Sequence, residues 1–342
     1  MQQPRKRERR EVVVITGASA GIGRATAHRF AREGARVALI ARPSEALDAA
    51  VEEVRQLGGQ ALEVPLDVAD ATAVEAAAER IERELGPIDI WINAAMATVF
   101  SPVSEIAPEE YKRATEVTYL GTVHGTMAAL KRMRPRNRGH IVQVGSALAY
   151  RAIPLQSAYC GAKFAIRGFT DALRVELMHD RRAVQVTMVQ LSAFNTPQFQ
   201  WARTRFRRRP QPVPPIFQPE VAAEAIHWAA HHRRRELWVG FPAVKTILGN
   251  GLLPWLADRR LVKQGYAGQL DDQTVPAERP DNLFDPVQAD YGTHGRFDRR
   301  SRAFSPQLWL TTHRAAAVAG MLAAAAMLAH RLRASRRRSS LR

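Results

Sequence analysis

The sequence predicts a doubly wound, mostly parallel seven-stranded α/β sheet with a C-terminal extension. Seven short runs rich in Val and Ile recur between residues 11 and 240, separated by amphipathic stretches. The runs lack strict apolar–polar alternation, as expected of strands buried on both faces. Beyond Gly240 the pattern stops.

In order, the runs are residues 11–16, 36–41, 61–68, 88–94, 140–146, 184–191 and 236–240. A glycine-rich turn joins the first run to a helical pattern at 24–33. Leu47, Val51, Val54 and Leu57 share one face of the next helix. One α/β domain is therefore expected over 11–245. Residues 246–307, dense in Pro, Asp, Gly, Gln and Arg from 270 onward, are expected to form an irregular extension on its surface.

Residues 1–10 form a basic N-terminal tail, and 308–342 an Ala-rich apolar helix with a basic tail. The uncharged run at 315–329 has fifteen residues, about 22 Å as a helix. That is short against a hydrocarbon core of ~30 Å. Arg331, Arg333 and Arg336 to Arg338 follow it and suit anionic headgroups. The segment 308–342 is expected either to hold the protein on the cytoplasmic face of a membrane or to pack as a helix on the protein or its oligomer partner, and the protein is otherwise expected to be cytoplasmic.

Composition narrows the function classes. At 46% hydrophobic and 24% charged, a chain of 342 residues buries a sizeable core and is not a disordered protein. Cys160 is the one cysteine, which excludes an intramolecular disulfide framework and a thiolate zinc cluster, and no metal is expected. No apolar signal segment follows the polar start. The formal charge of +17 resembles a nucleic-acid signature, but a net +10 of it sits on residues 1–10 and 331–342. With no helix-turn-helix or zinc motif, no nucleic-acid partner is expected.

The first turn reads Thr16-Gly17-Ala18-Ser19-Ala20-Gly21-Ile22-Gly23. Its glycines let the backbone approach a pyrophosphate seated at a helix N-terminus, and the strand–turn–helix context is the one that role requires. Downstream, Tyr159 and Lys163 stand four apart on one helical face, and Ser146 ends a strand thirteen residues before Tyr159. A nearby ammonium favours a phenolate, which makes such a Tyr a usable acid/base.

The Gly-x-x-x-Gly-x-Gly spacing, with Ser146, Tyr159 and Lys163 in that order, resembles the short-chain dehydrogenase/reductase family in its classical type. The resemblance covers residues 11–240 and implies a Rossmann fold and a nicotinamide cofactor. It further implies that Tyr159 passes a proton to or from the substrate oxygen and that Ser146 hydrogen-bonds that oxygen. Lys163 would lower the Tyr159 pKa and bind the nicotinamide ribose. Gly17, Ser19, Ala20, Gly21, Ile22, Gly23, Arg42, Asp67, Val68, Asn93 and Thr196 would bind the cofactor with Tyr159 and Lys163, Asp67 and Val68 meeting the adenine. Homo-oligomers through the long helices are common in the family.

At the end of the second strand an acid would bind a ribose 2′-hydroxyl and repel a 2′-phosphate. Here Ala41 and Arg42 stand instead, with Arg24 past the turn, so NADP(H) is preferred and NAD(H) remains compatible. Phe199, Trp201, Phe206 and Phe217, in the lid segment 197–218, suggest a bulky apolar or aromatic carbonyl or alcohol substrate. Five arginines between 203 and 209 read as a solvated, mobile loop or an anion-attracting patch.

The chain departs from the family pattern at three places. Asn93-Ala94-Ala95-Met96 replaces Asn-Asn-Ala-Gly, Thr118 stands where an Asn supports the proton relay, and Leu191-Ser192 replaces a Pro-Gly turn. Two readings follow. The first is an NADP(H)-dependent oxidoreductase acting on a carbonyl or secondary alcohol; the second is a nucleotide-binding module of the same fold with little turnover. Cys160 reads as a buried structural thiol.

Overall fold

The computed structural model describes residues 10–276, 279–315, 317–319 and Met327. The seven expected strands form one sheet: β1 (Val12–Thr16), β2 (Arg36–Ala41), β3 (Gln60–Pro65), β4 (Ile90–Asn93), β5 (His140–Ser146), β6 (Gln185–Leu191) and β7 (Glu236–Val239). All are parallel, in the order β3-β2-β1-β4-β5-β6-β7. Central β1 aligns Val13 with Val37 on one side and Ile90 on the other.

The absence of alternation has its cause in two cores. Val13 and Ile15 point toward helices α1 (Gly21–Ala31) and α2 (Glu45–Gln56) and the later helix Pro219–His231. Val12 and Val14 point the opposite way, toward α3 (Ala71–Leu85), α5 (Gly121–Arg136) and α6 (Ser157–His179). Between α4 (Pro108–Thr115) and α5 lies one π-helical turn, Glu116–Leu120. Pro219–His231 is α7.

The extension corrects one expectation. Residues 246–307 are not irregular throughout: α8 (Phe241–Leu252) and α9 (Pro254–Gln264) come first. Each carries proline in its first turn, where the missing N–H removes no helical bond. Leu270–Thr274 then pairs antiparallel with Arg208–Pro210, and Ser301–Arg302 joins Ile216–Phe217 beside Ala193–Phe194. Among the described residues from 275 to 297 there is neither helix nor strand. A last helix, α10 (Pro306–Thr312), is capped by the Ser305 hydroxyl, which accepts from the Leu308 amide at 3.2 Å.

Most of the expected apolar helix at 315–329, its basic tail and residues 1–9 lie outside the described residues. Among the described residues, no helix is long and apolar enough to cross a membrane.

Candidate active site

At the C-terminal ends of the strands lies a cavity of about 1560 Å³. Every residue assigned to the site from sequence lines it, apart from Asn93. The glycine turn forms one end. Gly17 has φ +69°, and a Cβ there would stand 2.7 Å from the Ala95 Cα. A Cβ on Gly23 would fall 2.1 Å from the Gly17 carbonyl oxygen. Neither position accepts a side chain. Helix α1 starts at Gly21, and its N-cap residue Ala20 offers no side-chain cap, so amides at its positive end are left for an anion. This cradle fits a pyrophosphate.

The strand-end segment after β4 is fixed to the turn by Thr16, whose hydroxyl accepts from the Ala94 and Ala95 amides at 3.1 and 3.2 Å. Asn93 faces away. Its carbonyl accepts from the Trp91 indole at 2.8 Å, and its amide donates to Gln143 at 2.9 Å and Thr126 at 3.1 Å. The side chain therefore braces the wall from behind.

Sequence reasoning missed what covers the end of the cavity at the glycine turn and Arg42. The irregular part of the extension lies across it. The Arg42 guanidinium donates to the carbonyls of Phe284, at 2.7 Å, and Asn282. Arg113 donates to the Leu283 carbonyl at 3.1 Å and pairs with Asp67. The Gly292 carbonyl accepts from the Gly21 amide at 3.1 Å, taking one of the helix-start donors. Arg24 does not reach toward a phosphate, contrary to expectation. It is 1% exposed and held by Glu53 at 2.7 Å, by both Asp290 oxygens and by the Ser19 carbonyl. Partners 170 to 271 residues away leave no local signal.

At the other end, Ser146 closes β5 and its hydroxyl accepts from the Leu148 amide at 3.1 Å. The Lys163 ammonium donates to the Val144 carbonyl at 2.7 Å and lies 5.5 Å from the centre of the Tyr159 ring. Burial pushes the Tyr159 phenol well above its ordinary value, against a hydrogen bond with Ser146 that acts the other way. Burial also pulls Lys163 down to about 8. The expected lowering of Tyr159 by Lys163 is not what dominates: desolvation governs both groups, and the phenol stays protonated. Cys160 is buried with its thiol pushed up to about 11, so it carries no thiolate at neutral pH.

Thr118 sits in the π-helical turn, where its hydroxyl donates to the Ala97 carbonyl at 3.0 Å and accepts from the Ala97 amide at 2.9 Å. The threonine thus pins the bulged helix to the segment after β4. Met96 lines the cavity.

The lid is tied down rather than solvated. Arg203 pairs with Glu110 at 2.9 Å and Asp281 at 2.8 Å, Arg205 with Glu110 at 2.6 Å, and Arg208 with Asp272 at 2.7 Å. Arg209 donates to the Thr274 carbonyl at 3.0 Å. Most of the arginine run is met by Glu110 and by the extension's segment from Asp271 to Asp281, and so is not an open anion patch. Phe199, Trp201 and Phe217 line the cavity as expected, whereas Phe206 does not.

A sequence profile of the short chain dehydrogenase family matches residues 11–205, more than half of the chain. The chain is a short-chain dehydrogenase. It is 35% identical over 331 residues to the uncharacterized oxidoreductase YxnA of Bacillus subtilis, an alignment covering 94% of this chain and 91% of that one. It is also similar to the putative oxidoreductase SadH of Mycobacterium tuberculosis, 37% identical over 54% of this chain and 67% of that one. Dehydrogenase/reductase SDR family member 7B of Bos taurus is 36% identical over 55% of this chain and 59% of its own. This short-chain dehydrogenase is accordingly an oxidoreductase acting on the CH–OH/C=O pair with NAD(P). The match to YxnA runs through the extension, beyond the residues that the family profile covers.

Proposed function

We propose that the protein interconverts a bulky apolar or aromatic carbonyl compound and its secondary alcohol, preferring NADP(H), with Tyr159 as the acid/base. The observation that carries this reading is the meeting of Ser146, Tyr159 and Lys163 in a cavity whose wall includes Leu148, Ile153, Phe199, Trp201 and Phe217. Bound nicotinamide supplies hydride chemistry. The chain supplies the rest.

Tyr159, kept protonated by burial, holds a proton at its phenol oxygen for delivery to the substrate oxygen. Ser146 donates a hydrogen bond to the same oxygen as charge develops there. Lys163 is anchored by the Val144 carbonyl and retains two ammonium protons for ribose hydroxyls.

Support for NADP(H) comes from Arg42, which makes no ion pair among the described residues; burial and the nearby Arg113 pull its guanidinium down, while Asp67, Asp285 and Asp281 act the other way. A 2′-phosphate would give it a direct anionic partner. Exposed Met127 on α5 and Phe164, Val175 and Met178 on α6 support a homo-oligomer through those helices.

The test is NADPH oxidation by purified protein against a panel of aromatic and alicyclic ketones and aldehydes. Tyr159→Phe should fall below about a tenth of the wild-type rate with nucleotide binding retained, since only the proton donor is removed. A rate above that would show another proton source. Arg42→Ala should lose about tenfold to a hundredfold in NADPH affinity. NADPH binding without turnover on any carbonyl would favour the nucleotide-binding module instead.

A further inference from the structure

Helices α8 and α9 turn apolar side chains toward water. Helix α9 buries none of its eleven residues, and α8 buries only Ala243 and Ile247. Leu252 is 79% exposed, Val262 82% and Trp255 54%. Helices this short are marginal in water unless a face is buried. Phe241, Leu253 and Leu256 are exposed and also line the cavity, so they form its lip; Leu310 of α10 does the same.

The charges on this face share one sign. Lys245, Arg259, Arg260 and Lys263 are exposed, and none has a carboxylate partner among the described residues. Arg259 lies 5.3 Å over the Trp255 ring. Asp258 is the single acid between 241 and 266, and Arg151 takes it.

We propose that α8 and α9 dock the protein on an anionic lipid bilayer, so that an apolar substrate enters the cavity from the lipid. Apolar side chains interleaved with unpaired cations are what an interfacial helix needs. A second copy related by a two-fold axis would set four cations against four. The chain's own segment at 331–342 carries six arginines and no acid, so it is repelled in the same way. The entry route rests on the cavity being the substrate's; the docking does not.

The experiment uses the full chain with vesicles of phosphatidylcholine alone or with about 30% phosphatidylglycerol. Binding should occur on the anionic vesicles, weaken with salt and be absent on the neutral ones. A Leu252→Glu/Val262→Glu double variant changes two exposed residues that do not line the large cavity. Its bound fraction should drop about tenfold with melting temperature and NADPH binding unchanged. Quenching of tryptophan fluorescence by brominated acyl chains should be seen in the wild type and fall in Trp255→Phe, the chain having six tryptophans. Equal binding by the double variant would assign any membrane contact to another part of the chain and overturn the proposal. So would a dimer, seen by sedimentation velocity, that the double variant splits while the wild type ignores vesicles. Failure of every carbonyl substrate would sink the proposed activity and leave the vesicle result readable.

Discussion

Residues 279–300 and 241–266 belong to one extension, yet they meet the domain on opposite terms. The first stretch spends its polar groups inward: Asp290 on Arg24, Asp281 on Arg203, and the carbonyls of Asn282, Leu283 and Phe284 on Arg42 and Arg113. Leu283 is fully buried beside Ala97, Val99, Ala114 and Ala158. The second stretch leaves its leucines, Trp255 and four cations outward. Irregular backbone is thus fixed by matched charge, while regular helix remains unmatched. Secondary structure alone does not tell which part of an extension is finished.

That contrast can be broken in three places. Gly23→Ala should have the largest effect, because its Cβ would sit 2.1 Å from the Gly17 carbonyl oxygen and 3.2 Å from the Ala18 Cα, both backbone atoms that cannot swing aside. Overpacking of this kind costs about 1–3 kcal/mol, concentrated at the nucleotide cradle. Isothermal titration should show NADPH affinity down by ~100-fold at the upper end of that range. Ordinary affinity would mean the turn yields more than its contacts imply.

Asp290→Ala comes next. It leaves buried Arg24 with Glu53 as its one carboxylate, and Asp290 itself is 39% exposed, so a loss of about 1–2 kcal/mol is expected. Urea unfolding measures it, and limited proteolysis should begin to cut within 279–297. Unchanged stability and protease resistance would show that Asp290 does not hold this stretch closed. Val262→Ser should have the smallest effect, within about 0.5 kcal/mol, since the side chain is 82% exposed. A larger loss would mean that α9 is packed after all, which removes the contrast.

The sheet was legible because its signal is local. Buried parallel strands concentrate Val and Ile, and all seven runs became strands with ends displaced by at most a few residues. Ser146, Tyr159 and Lys163 were legible because one strand end and one helical turn suffice to bring them together. Arg24 was misread for the opposite reason: its position beside the turn is local, but Asp290 lies 266 residues on. The arginine run at 203–209 misled in the same way, since Asp272 and Asp281 are invisible to a window of neighbouring residues. The π-helical turn at Glu116–Leu120 left no pattern distinct from an ordinary helix.

The closure of the nucleotide end by Asp290 and Gly292 has a consequence for synthesis. A chain emerges N-terminus first, and all seven strands are made before residue 279 leaves the ribosome. At roughly 5–20 residues per second, the sheet and its glycine turn precede their cover by several seconds. During that interval Arg24 has Glu53 but not Asp290, and the Gly21 amide has no carbonyl over it. The sheet and its glycine turn are therefore complete while the cleft still lacks residues 279–300, which supply its cover.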